Sequence, residues 1–329
     1  MIKMSSNAVI CVNHLTKKFG DFTAVNDISF EVAHGEILGM LGPNGAGKTT
    51  TIRMITGVFK VNQPNCIKVE GTDILDSPEY KANFGIVPEV SNAFLDFTVW
   101  QNLKFSGSLY GLKKSEIEKR GNYLLELYDL KDKKNSITKS LSKGLKQRLN
   151  FCMALIHNPN ILIFDEPTTG LDPISVKILR EQILKLQQQG KTIFITTHDL
   201  REAEKVCDRI LVLYKGNLIA DETPEKLRQK FKSETIISLD FYSKPDKWEL
   251  ILDELRKKFK ILQKKYRIQI MSNNILEDMA QLNEIIQNYK IIPENIKVIE
   301  PTLEDAFIDL IQNHQSAEIT NLKKEMKNV

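Results

Sequence analysis

The stretch from Gly42 to Thr50, GPNGAGKTT, constrains the fold more than any other part of the chain. It follows the apolar run EILGML and opens a helical pattern, so it matches the phosphate-binding loop Gly-x4-Gly-Lys-Thr in its strand-to-helix setting. Backbone N–H groups at such a helix start point at a phosphate, and the helix dipole favours negative charge there. The rival interpretation, a glycine-rich turn without chemical importance, does not account for this setting.

Each position of the loop has an expected role. Backbone N–H groups from Asn44 to Thr49 are expected to cradle the phosphates, Lys48 to reach the β and γ groups, and the Thr49 hydroxyl to hold Mg²⁺. The predicted nucleotide-binding residues of the loop are Gly42, Pro43, Asn44, Gly45, Ala46, Gly47, Lys48, Thr49 and Thr50.

The chain, at 329 residues with 42% hydrophobic content, is long enough for one large and one smaller domain. In the first two hundred or so residues short aliphatic runs alternate with helical patterns, which predicts an α/β fold around a mostly parallel sheet. The predicted strands are EILGML, FGIVP, ILIFDE, TIFITTH and RILVLY, and the predicted helices follow GKTT and cover 98–110, 115–129 and 143–157. Residues 91–157 are therefore expected to form a helical insertion between two strands.

The pattern changes after residue 231. From 233 to 314 the order strand, helix, strand, helix, strand, helix predicts a small C-terminal α+β domain, in which Thr302 and Asp305 cap the last helix. The predicted elements are TIISLDFY, PDKWELILDELRKKF, KYRIQIM, ILEDMAQLNEIIQNY, NIKVIE and TLEDAFIDLIQ. Residues 315–329 are expected to be a polar tail.

Composition excludes several function classes. No run approaches the roughly 20 apolar residues of a membrane-spanning helix, and the first residues lack the apolar stretch of a secretion signal, so a cytoplasmic location is expected. Four widely spaced cysteines predict buried thiols rather than a disulfide framework or a zinc site. The net charge of +4 is mild, but residues 255–267 carry seven Lys or Arg and no acid. A solvated face is the favoured interpretation of that segment, over a site for anionic lipid or nucleic acid.

Two further strands end in polar residues. NILIFDEP ends in Asp165 and Glu166 at the carboxyl end of a strand, where α/β sheets carry their sites. Asp165 is expected to bind the magnesium shell, and Glu166 to orient and deprotonate an attacking water. His198 follows the strand in FITTHDL, where its imidazole can contact the γ-phosphate.

The sequence SLSKGLKQR, residues 140–148, puts Ser142 and Gly144 at the start of another helix. Taken alone it is most simply an ordinary N-cap, although a helix start can also bind an anion.

Together these motifs resemble, in order, those of the ATP-binding subunits of ATP-binding cassette (ABC) transporters. The resemblance covers residues 8–231 and includes KKFGDFTAVNDISF, GPNGAGKTT, GIVPEV, LSKGLKQR, ILIFDEP, TTGLDP and ITTHD. It implies a P-loop ABC ATPase domain that binds ATP and Mg²⁺, in which Phe19 stacks on adenine and His198 senses the γ-phosphate. It also implies that Ser142 and Gly144 face the nucleotide of a second nucleotide-binding domain, with Asp172 at the contact between the two.

The chain departs from the family pattern at two places. Where the family signature is LSGGQ, Lys143 replaces the second glycine and adds a cation near the phosphates, and Leu145 replaces the glutamine. Glu89 in GIVPEV replaces the family's Q-loop glutamine; its carboxylate can still ligate Mg²⁺ but adds negative charge near Glu166.

The resemblance implies separate transmembrane permease subunits, which would dock near SNAFLDFTVWQNL. There Phe94, Leu95, Phe97 and Trp100 either contact the permease or pack the core of the insertion, and aromatic residues suit both settings. The SKG signature and the ending VIEPTLEDAFIDL resemble the corresponding segments of type-2 exporter ATPases. This resemblance implies drugs, polysaccharides, lipids or sodium as substrate classes.

The alternatives are an importer ATPase with a regulatory domain, a non-transport ABC ATPase acting on ribosomes or DNA, and a nucleotide-gated module that does not hydrolyse. A single cassette without sustained heptads disfavours the second, so no nucleic-acid partner is expected, and Glu166 disfavours the third.

Overall fold

The computed structural model describes residues 7–61, 63–230, 235–272, 274–299, 302–308, 310–312 and 314–315. Two compact units divide between Pro224 and Glu225, a few residues before the predicted boundary at 231–233. The strands of the first unit are β1 (Ala8–Phe19), β2 (Phe22–Ala33), β3 (Ile37–Leu41), β4 (Ile67–Val69), β5 (Thr72–Asp73), β6 (Phe84–Val87), β7 (Ile161–Asp165), β8 (Thr192–Thr197), β9 (Arg209–Tyr214) and β10 (Asn217–Glu222). Its helices are α1 (Lys48–Ile55), α2 (Val99–Leu109), α3 (Lys114–Leu127), α4 (Lys143–Leu155), α5 (Pro173–Gln188) and α6 (Leu200–Val206).

The central sheet of this unit has the strand order β10-β9-β3-β8-β7-β6. Strands β9, β3, β8, β7 and β6 are parallel, and only β10 pairs antiparallel, at the edge next to β9. Every residue of β3, β7 and β8 is buried, as expected for parallel strands covered on both faces. The predicted α/β fold is confirmed, and the carboxyl ends of β3, β7 and β8 meet at one edge.

A second, antiparallel sheet, of order β2-β1-β4-β5, was not predicted. Strands β1 and β2 form a long hairpin closed by the two-residue turn Gly20–Asp21, with Gly20 at φ +57. The pairing shifts register several times along β1, so the side chains do not keep the strict alternation by which a strand is recognised in a sequence.

Helices α2, α3 and α4 form the predicted insertion between β6 and β7. Buried Asn102 ties its first loop together: its Oδ1 accepts from the backbone N–H of Phe94 at 2.8 Å, and its Nδ2 donates to the Thr138 hydroxyl at 2.9 Å.

The four residues for which the sequence allowed two roles differ in their packing. Trp100 packs on α3, where a Cβ on Gly121 would lie 2.7 Å from its ring, and Lys134 Nζ lies 3.9 Å from the ring centre.

Phe94, Leu95 and Phe97 remain exposed. The rings of Phe94, Phe97 and Phe105 form a surface aromatic cluster, with centroids 4.9 to 6.5 Å apart. Core packing therefore accounts for Trp100 but not for this cluster.

The elements around and within the second unit are α7 (Pro224–Lys230), β11 (Thr235–Asp240), α8 (Trp248–Lys258), β12 (Lys260–Lys264), β13 (Arg267–Ser272), α9 (Ile275–Tyr289) and β14 (Asn295–Ile299). The antiparallel sheet has the order β12-β13-β11-β14, which with the two helices makes the β-α-β-β-α-β arrangement of ferredoxin-like folds. Ile237, Leu239, Trp248, Ile251 and Ile268 belong to its separate apolar core.

Strand β12 was missed in the sequence, and α8 begins at Trp248 rather than at Pro245. The cap of the last predicted helix is confirmed, because the Thr302 hydroxyl accepts from the Asp305 N–H at 3.2 Å while the Asp305 carboxylate accepts from the Thr302 N–H at 2.9 Å. Apart from residue 315, the predicted tail lies outside the described residues. Across the part of the chain that the structure describes, no helix is both long and apolar enough to cross a bilayer.

Candidate functional site

A cavity of about 500 Å³ opens at the carboxyl edge of the parallel sheet. Most of the predicted phosphate-binding loop lines it, together with both predicted catalytic residues. The lining residues are Phe19, Phe22, Ala24, Asn44, Gly45, Ala46, Gly47, Lys48, Thr49, Thr50, Glu89, Glu166, Thr169 and His198.

The loop has the backbone that phosphate binding needs. Gly47 is left-handed at φ +110, and a Cβ there would lie 2.5 Å from the carbonyl oxygen of Ala24. A Cβ on Gly42 would come 2.3 Å from the carbonyl oxygen of Leu213, so both positions need glycine. Helix α1 starts directly after Gly47 with no side-chain cap and no acid in its first turn. Its first N–H groups can therefore serve an anion from outside the helix.

Lys48 is buried and held by oxygens on two sides. Its Nζ donates to the carbonyl oxygens of Gly42 at 2.7 Å and Pro43 at 3.4 Å, and lies 3.2 Å from Glu166 Oε1. The Lys48–Glu166 pair is almost fully buried on both sides. Gly42 and Pro43, predicted to bind nucleotide, thus position the lysine and are absent from the cavity lining.

Glu166 and His198 are in direct contact. His198 Nδ1 lies 2.7 Å from Glu166 Oε2, and the His198 backbone N–H donates to the same oxygen at 3.3 Å. Glu166 itself has φ +49, and its N–H donates to the carbonyl oxygen of Thr196 on β8 at 3.0 Å. A glutamate is rarely found in this backbone conformation, and such strain is concentrated at functional sites.

Asp165 lies behind the loop rather than on the cavity wall. Its Oδ1 accepts from the hydroxyls of Thr49 at 3.3 Å and Thr196 at 2.5 Å. The Thr49 hydroxyl and the Asp165 carboxylate are the hard oxygen donors that Mg²⁺ takes, and Glu89 offers a third on the cavity wall. The described residues contain no cluster of three or more His, Cys, Asp or Glu side chains.

Two aromatic rings stand at the mouth of the cavity. Phe19 is half-exposed and packs edge-on against Phe59 with centroids 5.6 Å apart. Phe22 is its cross-strand partner and is 64% exposed. Sequence reasoning found Phe19 but missed Phe22, Ala24 and Thr169; the short run FGDF, read as a two-residue turn, would have indicated Phe22.

The residues assigned to a second copy lie together, outside this cavity. Ser142 caps α4 by accepting from the Leu145 N–H at 3.3 Å, and a Cβ on Gly144 would lie 3.1 Å from Ser175 Oγ. Asp172 caps α5 and accepts from the Ser175 hydroxyl at 2.6 Å. This hydrogen bond, helped by backbone N–H groups, lowers the pKa of Asp172. Both helix starts therefore form one surface.

Lys143 lies at the positive end of α4, whose first turn contains no acid. Its Nζ lies against Gly170, so close that a Cβ there would be 2.1 Å away, and Gly170 has φ +69. No acidic side chain among the described residues pairs with Lys143. A cation at a helix start is unfavourable unless an anion reaches it.

Comparison with known proteins relates this geometry to one family. The family model described as ABC transporter matches residues 25–169. The chain is 43% identical over 210 residues to an uncharacterized ABC transporter ATP-binding protein of Methanocaldococcus jannaschii, covering 64% of this chain and 76% of that protein. It is 39% identical over 224 residues to the Nod factor export ATP-binding protein I of Ralstonia nicotianae, covering 68% and 70%.

Solved structures agree in fold. An ATP-binding subunit of an ABC transporter superposes with a TM-score of 0.62 at 32% identity, covering 68% of this chain and 93% of that one. A second, cbiO1 from Clostridium perfringens, part of the ABC transporter complex cbiONQ, gives a TM-score of 0.62 at 26% identity, covering 77% and 96%.

Proposed function

The chain belongs to the ATP-binding proteins of ABC transporters, and from that premise we propose that it hydrolyses ATP as one of two paired subunits that drive an exporter. The observation that carries the proposal is the buried contact of Glu166 with both Lys48 and His198 beside the phosphate-binding loop. A carboxylate next to the γ-phosphate position is what a general base for water attack requires.

The residues divide the chemistry among them. The loop N–H groups and Lys48 bind the triphosphate, and Phe19 and Phe22 offer ring faces to the base. Glu166 takes the proton from the attacking water, while His198 holds that carboxylate through Nδ1 and can reach the γ-phosphate with the rest of its ring. Thr49, Asp165 and Glu89 are the residues that would hold Mg²⁺, which supplies positive charge to the phosphate oxygens.

Pairing is supported by the separation of two half-sites on one chain. Ser142, Gly144 and Asp172 lie on the surface formed by the starts of α4 and α5, and none of them lines the nucleotide cavity. A second copy can therefore close each cavity with this surface, and the affinity of the pair then depends on the γ-phosphate. The proposal is that ATP closes the pair and hydrolysis opens it.

For closure of the pair to drive transport, the pair must act on a membrane partner. We propose that permease subunits dock on the exposed cluster of Phe94, Phe97 and Phe105, at the cytoplasmic face of the membrane. The relatives named Nod factor export proteins favour export over import.

The test is ATP turnover and ATP-dependent dimerisation of the purified chain, alone and with its permease, and of Glu166→Gln. We expect the parent to hydrolyse ATP. The variant should accumulate as an ATP-bound dimer, because the bond to the γ-phosphate, whose cleavage would open the dimer, stays intact. Full turnover by a chain that remains monomeric at all concentrations would contradict paired sites. An ATP-bound dimer of the parent that never turns over would contradict hydrolysis.

A further inference from the structure

The basic segment 255–267 is not one solvated helix face. It spans the end of α8, all of β12 and the turn into β13, and all seven of its cations are exposed. Within the part of the chain that the structure describes, strand β12 pairs with β13 alone and so lies at the edge of its sheet. The segment therefore consists of the last turns of α8 and an exposed hairpin of β12 and β13, and we name residues 258–267 the basic hairpin.

Three of the seven cations are already neutralised. Arg256 pairs with Asp253 and Lys257 with Glu254, each at 3.3 Å within α8, and Arg267 pairs with Asp240 on β11. Lys258, Lys264 and Lys265 have no acidic partner among the described residues. The uncompensated charge is thus concentrated on the hairpin.

The pleat directs this charge outward. Ile261 packs against the apolar core of the unit, so its neighbours Lys260 and Leu262 project from the opposite face of the sheet. Lys264 shares that face and is the cross-strand partner of Arg267. Leu262 is 43% exposed between the lysines, and Tyr266 is 48% exposed at the turn.

We propose that the basic hairpin is a contact site for an anionic phospholipid surface. Lysines attract anionic headgroups, and an exposed leucine and tyrosine among them can enter the interface between headgroups and acyl chains. Lysines on an edge strand also prevent pairing with other sheets, but that role does not require Lys258 and Lys265, which lie outside the strand, or the exposed Leu262 and Tyr266. The contact belongs to the C-terminal unit itself and does not require a permease.

Nucleic acid is the other polyanion that such a surface could attract. Single-stranded nucleic acid is recognised on sheets of this fold by aromatic rings on the central strands. On the face that carries the lysines, the central strands carry no aromatic residue, and Ser238 at the middle of that face is buried. The residues of that face are Ile236, Ser238, Asp240, Arg267, Gln269 and Met271. The sheet therefore favours lipid.

The experiment measures binding of the full chain to sedimented vesicles of phosphatidylcholine alone and with about one third phosphatidylserine, at low and high salt. We expect binding only to the anionic vesicles and its loss at high salt. The triple variant Lys258→Gln, Lys264→Gln and Lys265→Gln should bind on the order of a hundredfold more weakly, since each lysine near such a surface contributes roughly fivefold.

The matched control neutralises three exposed lysines of the helical insertion, Lys114→Gln, Lys119→Gln and Lys139→Gln. It should bind anionic vesicles like the parent, and both triple variants should keep ATP-dependent dimerisation, which separates this inference from the proposed function. Equal binding to neutral and anionic vesicles, equal loss in the two triple variants, or tighter binding to single-stranded RNA than to vesicles at the same salt would overturn it.

Discussion

At the scale of single residues, Lys143 is the clearest departure from its family. Its ammonium lies at the positive end of α4, over Gly170, in a first turn without acids. That arrangement costs stability in one chain and becomes favourable when an anion approaches the helix start.

We therefore predict opposite effects for Lys143→Met. Thermal unfolding of the chain without nucleotide should shift upward slightly, by the equivalent of about 0.5 kcal/mol, because an unfavourable charge is removed. ATP-dependent dimerisation, followed by sedimentation, should weaken several-fold. Lys119→Met, on the exposed surface of α3, is the control and should change neither. A variant that dimerises as well as the parent would show that Lys143 does not face the partner's phosphate.

Much of the site could be predicted at this scale, and for a physical reason. The predicted side chains follow buried parallel strands whose carboxyl ends meet at one edge of the sheet, so their proximity can be predicted from the sequence. They are Lys48, Asp165, Glu166 and His198. Phe22 and Thr169 could not be found in the same way, because each approaches the cavity through a turn. The contact of Lys48 with Glu166 could not be foreseen either, since it depends on side-chain conformation.

At the scale of elements, His157 joins the helical insertion to the parallel sheet. It follows α4, stacks on Tyr110 with ring centroids 3.5 Å apart, and donates from Nε2 to the carbonyl oxygen of Phe84 on β6 at 3.0 Å. Burial lowers the pKa of His157 to about 4 despite that hydrogen bond, and the nearby charges of Arg120 and Lys191 act in the same direction as burial.

This pKa predicts how stability depends on pH. In the unfolded chain a histidine titrates near 6.5, so between pH 6.5 and about 4 the unfolded state binds a proton that folded His157 does not. The contribution of His157 to the free energy of unfolding is thus complete above pH 6.5 and is lost as the pH falls towards 4. His157→Phe keeps the ring stack but cannot titrate. Its free energy of unfolding, measured with denaturant, should therefore fall less steeply with pH over this interval, and the difference in slope should correspond to the uptake of up to one proton. Parallel curves for the two proteins would contradict the assignment.

The aromatic residues of the insertion allow a second test between elements. Phe97→Ser and Phe105→Ser remove exposed rings, so we expect them to reduce copurification with the permease while leaving ATP binding and thermal stability unchanged. Trp100→Ala should instead lower the melting temperature, because that ring packs on α3 beneath Lys134. Retention of permease binding in the double phenylalanine variant would exclude the cluster as the docking surface.

Elements were predictable where one pattern dominated. The parallel strands are continuous apolar runs, and apolar residues recur every three to four positions in the helices of the insertion, so both kinds of element were recognised. Strand β12, KILQK, was missed because its inward face carries Ile261 and the polar Gln263, and one apolar residue cannot establish a period. The β1–β2 hairpin was missed because register shifts interrupt its alternation.

At the scale of the whole molecule, the two units have separate apolar cores. The cluster beneath the phosphate-binding loop runs from Ile10 to Leu213, whereas that of the C-terminal unit runs from Ile237 to Ile291. We predict that a chain ending at Phe231 folds, binds ATP and dimerises with it, but no longer binds anionic vesicles. Calorimetry and nucleotide titration of this chain test the first part, and vesicle sedimentation tests the second. Failure of the shortened chain to fold would show that the units depend on each other.

The pair of Lys48 and Glu166 has a kinetic consequence for nucleotide exchange. The ammonium that a phosphate needs is the one that the carboxylate already holds at 3.2 Å, away from water. The protein thus carries its own competitor for every incoming phosphate. The same attraction helps a bound nucleotide to leave, since its departure restores the pair of Lys48 with Glu166. Weakening the Lys48–Glu166 ion pair should lengthen the residence time of bound nucleotide. The strength of this pair therefore helps to set the rate at which one nucleotide is exchanged for the next.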